Sequence, residues 1–322
     1  MQQEKKYVSL FNLVIANQDE QIPRYFPEDV ISKFASLVSE AEDIWSSSLS
    51  FVYRAEEITG FPFHLNEKPR LYALDGIVVA DALGIPPAMR ASPIQAFCLY
   101  YLSVHLIDDF IEDISKFTSA FTYSGADKHI PTSIEVNASI VGFILHVNMA
   151  ITSILQGASG IFSPDTIIKL QELVARSLAS QTKYFLLEKD LSLTPKDVLE
   201  IKQRRVSGEA TSLIADFLQV EKILGHSGSV HIKEALRSLG SLTQFTDDVR
   251  DYEEDKTNGN SNLLLSMEKS YNRCAVQKLV EWYIEEENKM IKMLQSCELS
   301  INEEQFLTIP WYPFFLKPAD EW

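Results

Sequence analysis

Periodicity constrains this chain most. Between loop signals the apolar residues recur at three and four, and alternating strand-like patterns are almost absent. Turn-forming clusters at 84–93, 123–131, 157–164, 225–229 and 256–262 cut the 322 residues into pieces of helical length. Thr132–Gln156, Asp165–Leu187, Pro195–Leu224, His231–Glu254 and Arg273–Cys297 read as long helices, several opened by Ser, Thr or Asp caps or by Pro in the first turn. Tyr7–Ile15 has some strand character but is too short and isolated to build a sheet. With 46% apolar residues, 11% aromatics and no repeat or linker, the economical expectation is one all-α domain over 1–322. Its form is a helical bundle around an apolar hollow, with room for residues 1–25 as a loosely attached N-terminal segment.

The balance of 29 Lys+Arg against 45 Asp+Glu, a net charge of −16, argues against nucleic acid and against an anionic membrane surface as partners. No apolar run reaches the roughly 18–20 residues of a span, so no stable membrane insertion is expected. Lys5-Lys6 and the apolar residues after them lack the small-residue cleavage site of a signal peptide. Cys98, Cys274 and Cys297 form no CxxC pair, which favours a reducing, cytoplasmic setting.

Two acidic clusters stand out: Asp108-Asp109-Phe110-Ile111-Glu112-Asp113, and Asp247-Asp248-Val249-Arg250-Asp251-Tyr252-Glu253-Glu254-Asp255. Each ends a helix-like apolar run. Like charges three and four apart on a helix repel by roughly 0.2–0.5 kcal/mol per pair, so clusters of this kind suggest that cations occupy the gap. Asp108/Glu112 and Asp109/Asp113 stand at i, i+4, and Asp247, Asp251 and Asp255 at i, i+4, i+8, one face in each case. Hard carboxylate oxygens suit Mg²⁺. Phe97, Tyr101 and His105 precede the first cluster on its stripe, Thr243 and Gln244 lie one turn before the second, and Tyr184 and Phe185 end a long helix. All are candidates for a cavity wall, although aromatics at helical spacing are most often ordinary core.

On these residues the chain resembles the class I terpenoid synthase superfamily of terpene cyclases and trans-isoprenyl diphosphate synthases. Asp108-Asp109-Phe110-Ile111-Glu112 matches its DDxxD/E motif, and Gln244 to Asp251 is similar to the second aspartate motif of prenyl synthases. The same stretch fits the cyclase pattern (N/D)DxxSxxxE with Asp247, Asp251 and Asp255 at its ligand positions. The resemblance implies Mg²⁺, usually three ions and with Mn²⁺ able to substitute, held by Asp108, Asp109, Glu112, Asp113, Asp247, Asp248, Asp251 and Asp255 against an isoprenyl diphosphate. It further implies Arg204 as a diphosphate sensor and Gly208 as the effector at a helix break, with Ser207 between them. Arg205, Arg250 and Lys256 are other diphosphate-binding candidates. A mid-helix Gly costs about 1 kcal/mol relative to Ala, so Gly208 marks either a break or a close helix crossing.

A prenyl elongase needs a second diphosphate site, and Asn66-Glu67-Lys68-Pro69-Arg70 and Lys116 make poor versions of its basic segments. The expectation is therefore a lyase: a terpene cyclase that ionises farnesyl or geranylgeranyl diphosphate, with prenyl coupling as the alternative and a homodimer left open. A di-iron bundle would need Glu-x-x-His pairs, and none of the six His has Glu three residues before it. A non-catalytic helical scaffold would leave the acids exposed and unpaired.

Overall fold

The computed structural model describes residues 2–59, 68–121, 133–158, 162–188, 193–297 and 303–314, and among them there is no strand. The chain opens with α1 (Gln2–Ile15), a 3-10 turn (Asp19–Tyr25) and the long α2 (Glu28–Thr59). Next come α3 (Lys68–Ala82), α4 (Pro87–Phe121), α5 (Ser133–Gly157) and α6 (Pro164–Glu188). An irregular stretch follows: α7 (Pro195–Val198), a π-helical segment (Leu199–Gly208), α8 (Glu209–Ser212) and α9 (Ile214–Phe217). The remainder is α10 (Val220–Arg250), α11 (Tyr252–Asn258), α12 (Leu263–Tyr271), α13 (Ala275–Gln295) and α14 (Glu303–Thr308), with 3-10 turns at Asn272–Cys274 and Ile309–Phe314.

Burial shows which helices are central. On α4 every position from Ala96 to Val104 is buried, as expected of a helix apolar all round. On α3 the run Ala73 to Ala80 is likewise buried, except at Asp75. These two helices pack together, with α2 on one side and α5 and α6 beyond α4. The other half centres on α10, which lies between α13 and the π segment.

Residues 1–25 correct two expectations. Tyr7, Leu10, Phe11 and Val14 recur at helical spacing, so Tyr7–Ile15 belongs to α1 and not to a strand. Nor is this segment loosely attached, since Leu10 and Phe11 are fully buried. The Phe11 ring sits 5.4 Å from Tyr283 and 5.2 Å from Trp311, whose indole N–H donates to the Tyr283 hydroxyl at 2.8 Å. Phe11→Ala is expected to destabilise the fold by about 3–5 kcal/mol, read by denaturant unfolding. A change under about 0.5 kcal/mol would show that α1 is dispensable.

Helix boundaries differ from the sequence expectation where local breaks intervene. Helix 195–224 is interrupted at Leu213 and again at Gln219, which takes a left-handed conformation with φ 52°. The Gly-rich stretch at 225–229 produces only a kink inside α10, at Gly225 (φ 71°, ψ 177°). Helix 231–254 stops at Arg250, because Asp251 (φ −88°, ψ 8°) leaves the helical region.

Candidate functional site

A tyrosine pair joins α3 to α4, the helix whose C-terminal half carries the first acidic cluster. Tyr72 on α3 stacks on Tyr101 of α4 with ring centroids 3.8 Å apart. Burial raises both hydroxyls above the ordinary tyrosine range, and both also feel the charge of Asp247 at the end of α10. Tyr101 is hydrogen-bonded to Thr211 of α8. Asp108 follows Tyr101 by seven residues, two turns or roughly 10 Å along α4. The backbone that carries the first cluster thus continues the helix whose Tyr101 feels the charge of Asp247. The side chains of His105, Asp108, Asp109, Glu112, Asp113 and Phe185 lie outside the described residues.

Within the second cluster the structure separates two pairs. Asp247 and Asp251 are part-exposed and share one cation, Arg250, whose guanidinium is bonded to Asp247 and lies 3.0 Å from Asp251. Desolvation alone would lower the Arg250 pKa, but the two carboxylates hold it above its ordinary range. Gln244 steadies this end of α10. Its amide donates to Asp247 at 3.3 Å and to Asp248 at 3.1 Å, while its carbonyl accepts from Ser207 at 2.7 Å. Gln244, expected in a cavity wall, has its amide engaged by Ser207, Asp247 and Asp248.

Asp248 and Asp255, both expected as metal ligands, turn inward and are held by internal donors. The fully buried Asp248 carboxylate lies 2.8 Å from Lys202 and accepts from Gln203 at 2.7 Å and from the Leu263 amide at 2.9 Å. Burial pushes this carboxyl up, and Lys202, the Leu263 N–H and Gln244 pull against that shift. Asp255 accepts from Asn262 at 2.8 Å and from Asn260 at 3.3 Å. Lys202 also donates to the Ser261 carbonyl at 2.8 Å, so these acids staple the 259–263 turn to the π segment. The i, i+8 alignment of Asp247 with Asp255 fails because the helix is interrupted at Asp251. Among the described residues no three Asp, Glu, His or Cys side chains converge as a metal group.

The basic candidates are occupied elsewhere. Arg204 is bonded to Glu286 of α13 and lies 3.6 Å from Glu200. Arg205 pairs with Glu200 and Glu209 at 2.9 and 2.8 Å on the solvent side. Lys256 is exposed, donates to the Tyr252 hydroxyl at 3.1 Å and lines an outer pocket of about 280 Å³ with Asn260 and Glu268. Each of the three thus lies beside an acid or a hydroxyl of its own surroundings.

Gly208 is a close crossing and the end of a distorted helix at once. A Cβ there would lie 2.8 Å from the Arg237 carbonyl. π-Helical turns are rare and concentrate at functional sites. Side chains from the neighbouring helices bind the carbonyls of this one: Gln181 donates to Val206 at 3.0 Å and Ser241 to Gln203 at 3.1 Å.

Of the remaining wall candidates, Phe97 (2% exposed) and Tyr101 (8%) are core. Phe97 meets Phe217 at 5.7 Å, so these rings close the bundle about three turns below Asp108. Thr243 donates to its own helix, at the Leu239 carbonyl. Tyr184 packs partly buried against the core with Lys183 5.6 Å over its ring. Tyr72, Asp75 and Asn262 carry no motif in the sequence. For Asp75 a signal exists, since it is a lone acid in the apolar run from Leu71 to Ala80.

No family model matches the chain, and no curated protein matches it. Among solved structures it is similar to a geranylgeranyl pyrophosphate synthetase from the archaeon Geoglobus acetivorans. The TM-score is 0.55 at 14% identity, over 88% of this chain and 99% of that one. At that identity the likeness speaks for the fold. The chain has the all-helical, isoprenyl diphosphate synthase-like fold expected from its sequence. Among the described residues no helix is long and apolar enough to cross a membrane.

Proposed function

We propose that this protein is a class I terpene cyclase acting on a linear isoprenyl diphosphate such as farnesyl or geranylgeranyl diphosphate. The observation that supports the reading is that the Tyr72–Tyr101 stack, two turns before Asp108 on the helix of the first acidic cluster, lies within the field of the part-exposed Asp247. Asp247 and Asp251 fit Mg²⁺ by the chemistry of their donors: hard oxygens, partly accessible, sharing a single Arg. With Asp108, Asp109, Glu112 and Asp113 they would hold the ions. Asp248 and Asp255 do not fit, being consumed by internal donors. Bound Mg²⁺ would supply Lewis-acid stabilisation of the departing diphosphate.

The chain's own residues supply the rest. Arg250, a fixed cation between Asp247 and Asp251, is placed to turn toward diphosphate oxygens once those acids are otherwise neutralised. The Ser207–Gln244–Asp247 chain holds the carboxylate in register with the π segment. Tyr72, partly accessible and backed by the buried Tyr101 ring stacked on it, offers an aromatic surface suited to a developing carbocation.

The fold likeness to a prenyl-elongating synthetase supports a second reading, chain elongation with isopentenyl diphosphate. One assay separates the two. Geranyl, farnesyl, geranylgeranyl and geranylfarnesyl diphosphates are offered singly, with and without isopentenyl diphosphate and Mg²⁺. A cyclic hydrocarbon or alcohol formed without isopentenyl diphosphate is the expected result, and a longer diphosphate formed only in its presence would replace cyclisation by elongation.

A further inference from the structure

Helix α3 is packed between α2 and α4, and from Tyr72 to Ala80 only Tyr72 and Asp75 keep accessible surface. They stand at i, i+3, on one face. Asp75 keeps part of its surface on the face it shares with Tyr72, and its charge is felt by both rings of the Tyr72–Tyr101 stack. One carboxylate oxygen, Oδ1, accepts from the Tyr312 hydroxyl at 2.9 Å. Tyr312 belongs to the 3-10 turn Ile309–Phe314, is 1% exposed and packs on Phe34 of α2, which fixes the direction of its O–H. The titratable groups around Asp75 are Tyr72 on its own helix, Tyr101 and Cys98 on α4, and Tyr312. Among the described residues no cation pairs with it.

A carboxylate in such a place calls for an explanation, because a buried unpaired charge is costly and an apolar residue would serve packing better. We propose that Asp75, oriented by Tyr312, is the base that ends the reaction by taking a proton from the terminal carbocation. This inference rests on the cyclase reading. In the step, a C–H bond next to the cationic carbon breaks and its electron pair closes a C=C bond. The proton passes to Asp75, through the oxygen not engaged by Tyr312. The organic product leaves as a neutral hydrocarbon, diphosphate leaves as the anion already released, and Asp75 returns its proton to solvent when the site opens. Burial pushes the carboxyl up to about 7, against the pull of the Tyr312 hydrogen bond. Near neutral pH it is thus a base strong enough to accept a proton and able to give it back.

The test measures released diphosphate and organic products separately, on the full chain with Mg²⁺ and whichever prenyl diphosphate it accepts. Asp75→Asn should release diphosphate at close to the wild-type rate. Its terminal hydrocarbon should fall by about 10²-fold relative to alcohols or earlier hydrocarbons, as expected when a positioned base is lost. In the wild type the hydrocarbon-to-alcohol ratio should rise as pH increases through about 7, where the carboxyl ionises, and this dependence should vanish in Asp75→Asn. Tyr312→Phe keeps the base but removes the hydrogen bond that holds its pKa down, so its midpoint should move to higher pH. That variant carries the test if Asp75→Asn does not fold. An unchanged product ratio in both variants, or a wild-type ratio independent of pH, overturns the proposal alone. A wild-type protein that releases no diphosphate from any of the substrates overturns the cyclase reading and this one with it.

Discussion

Asp247→Ala is expected to remove turnover, by at least about 10²–10³-fold, while leaving the fold within roughly 0.5 kcal/mol of wild type. Its neighbour should behave in the opposite way. Asp248→Ala leaves the Lys202 ammonium, the Leu263 N–H and the Gln203 amide facing an apolar gap, a loss of about 3–5 kcal/mol for a broken buried pair. The contrast follows from exposure. Asp247 is part-exposed with Arg250 as its cation, whereas Asp248 is fully buried. The checking measurements are thermal melts with and without Mg²⁺ plus inorganic diphosphate, alongside turnover. Wild type should be stabilised by the two ligands jointly, because ligands that bind only the native state raise its stability by mass action. Asp247→Ala should melt normally and lose that increment. Near-normal turnover in Asp247→Ala would remove the metal assignment at this end of the bundle, whatever the first cluster does.

The same pair shows which features of the candidate site are legible in a sequence and which are not. The helical period and the acid-rich ends of α4 and α10 are written in spacing, and spacing is what a helix preserves. Once the helix stops at Asp251, spacing no longer says which way a carboxylate turns. The donors that capture Asp248 and Asp255 come from Lys202, Asn260 and Asn262, two of them in a turn that reads only as a turn. Arg204 shows the same limit, for its partner Glu286 lies 82 residues away on α13. The helix boundaries near 195–224 were misplaced because Leu213 and Gln219 carry no breaker signal, whereas the Gly-rich 225–229 does and yields only a kink. Tyr72 and Asp75 belong to no motif. Their importance comes from being the accessible positions of a helix otherwise buried around them, a property of packing and not of pattern.

Gly240→Ala is expected to be the most damaging substitution that removes no chemical group. A Cβ at Gly240 would lie 2.5 Å from the Ser207 carbonyl oxygen and 2.5 Å from the Thr211 hydroxyl. The nearest obstacle is backbone, so no rotamer change relieves it, and α10 must move away from the π segment. Overpacking of this kind costs about 1–3 kcal/mol, and here the upper end or more. The displacement reaches the site by two routes. Ser207 holds Gln244, which holds Asp247, and Thr211 is bonded to Tyr101. A shift of even about 1 Å in reacting geometry lowers rates by roughly 10²-fold, so turnover should fall further than the stability loss alone accounts for. Gly157→Ala is the control, because a Cβ there meets nothing within 4 Å and the change should be neutral to mildly stabilising. If Gly240→Ala melts and turns over like Gly157→Ala, the tight crossing of α10 over the π segment is not what positions Asp247.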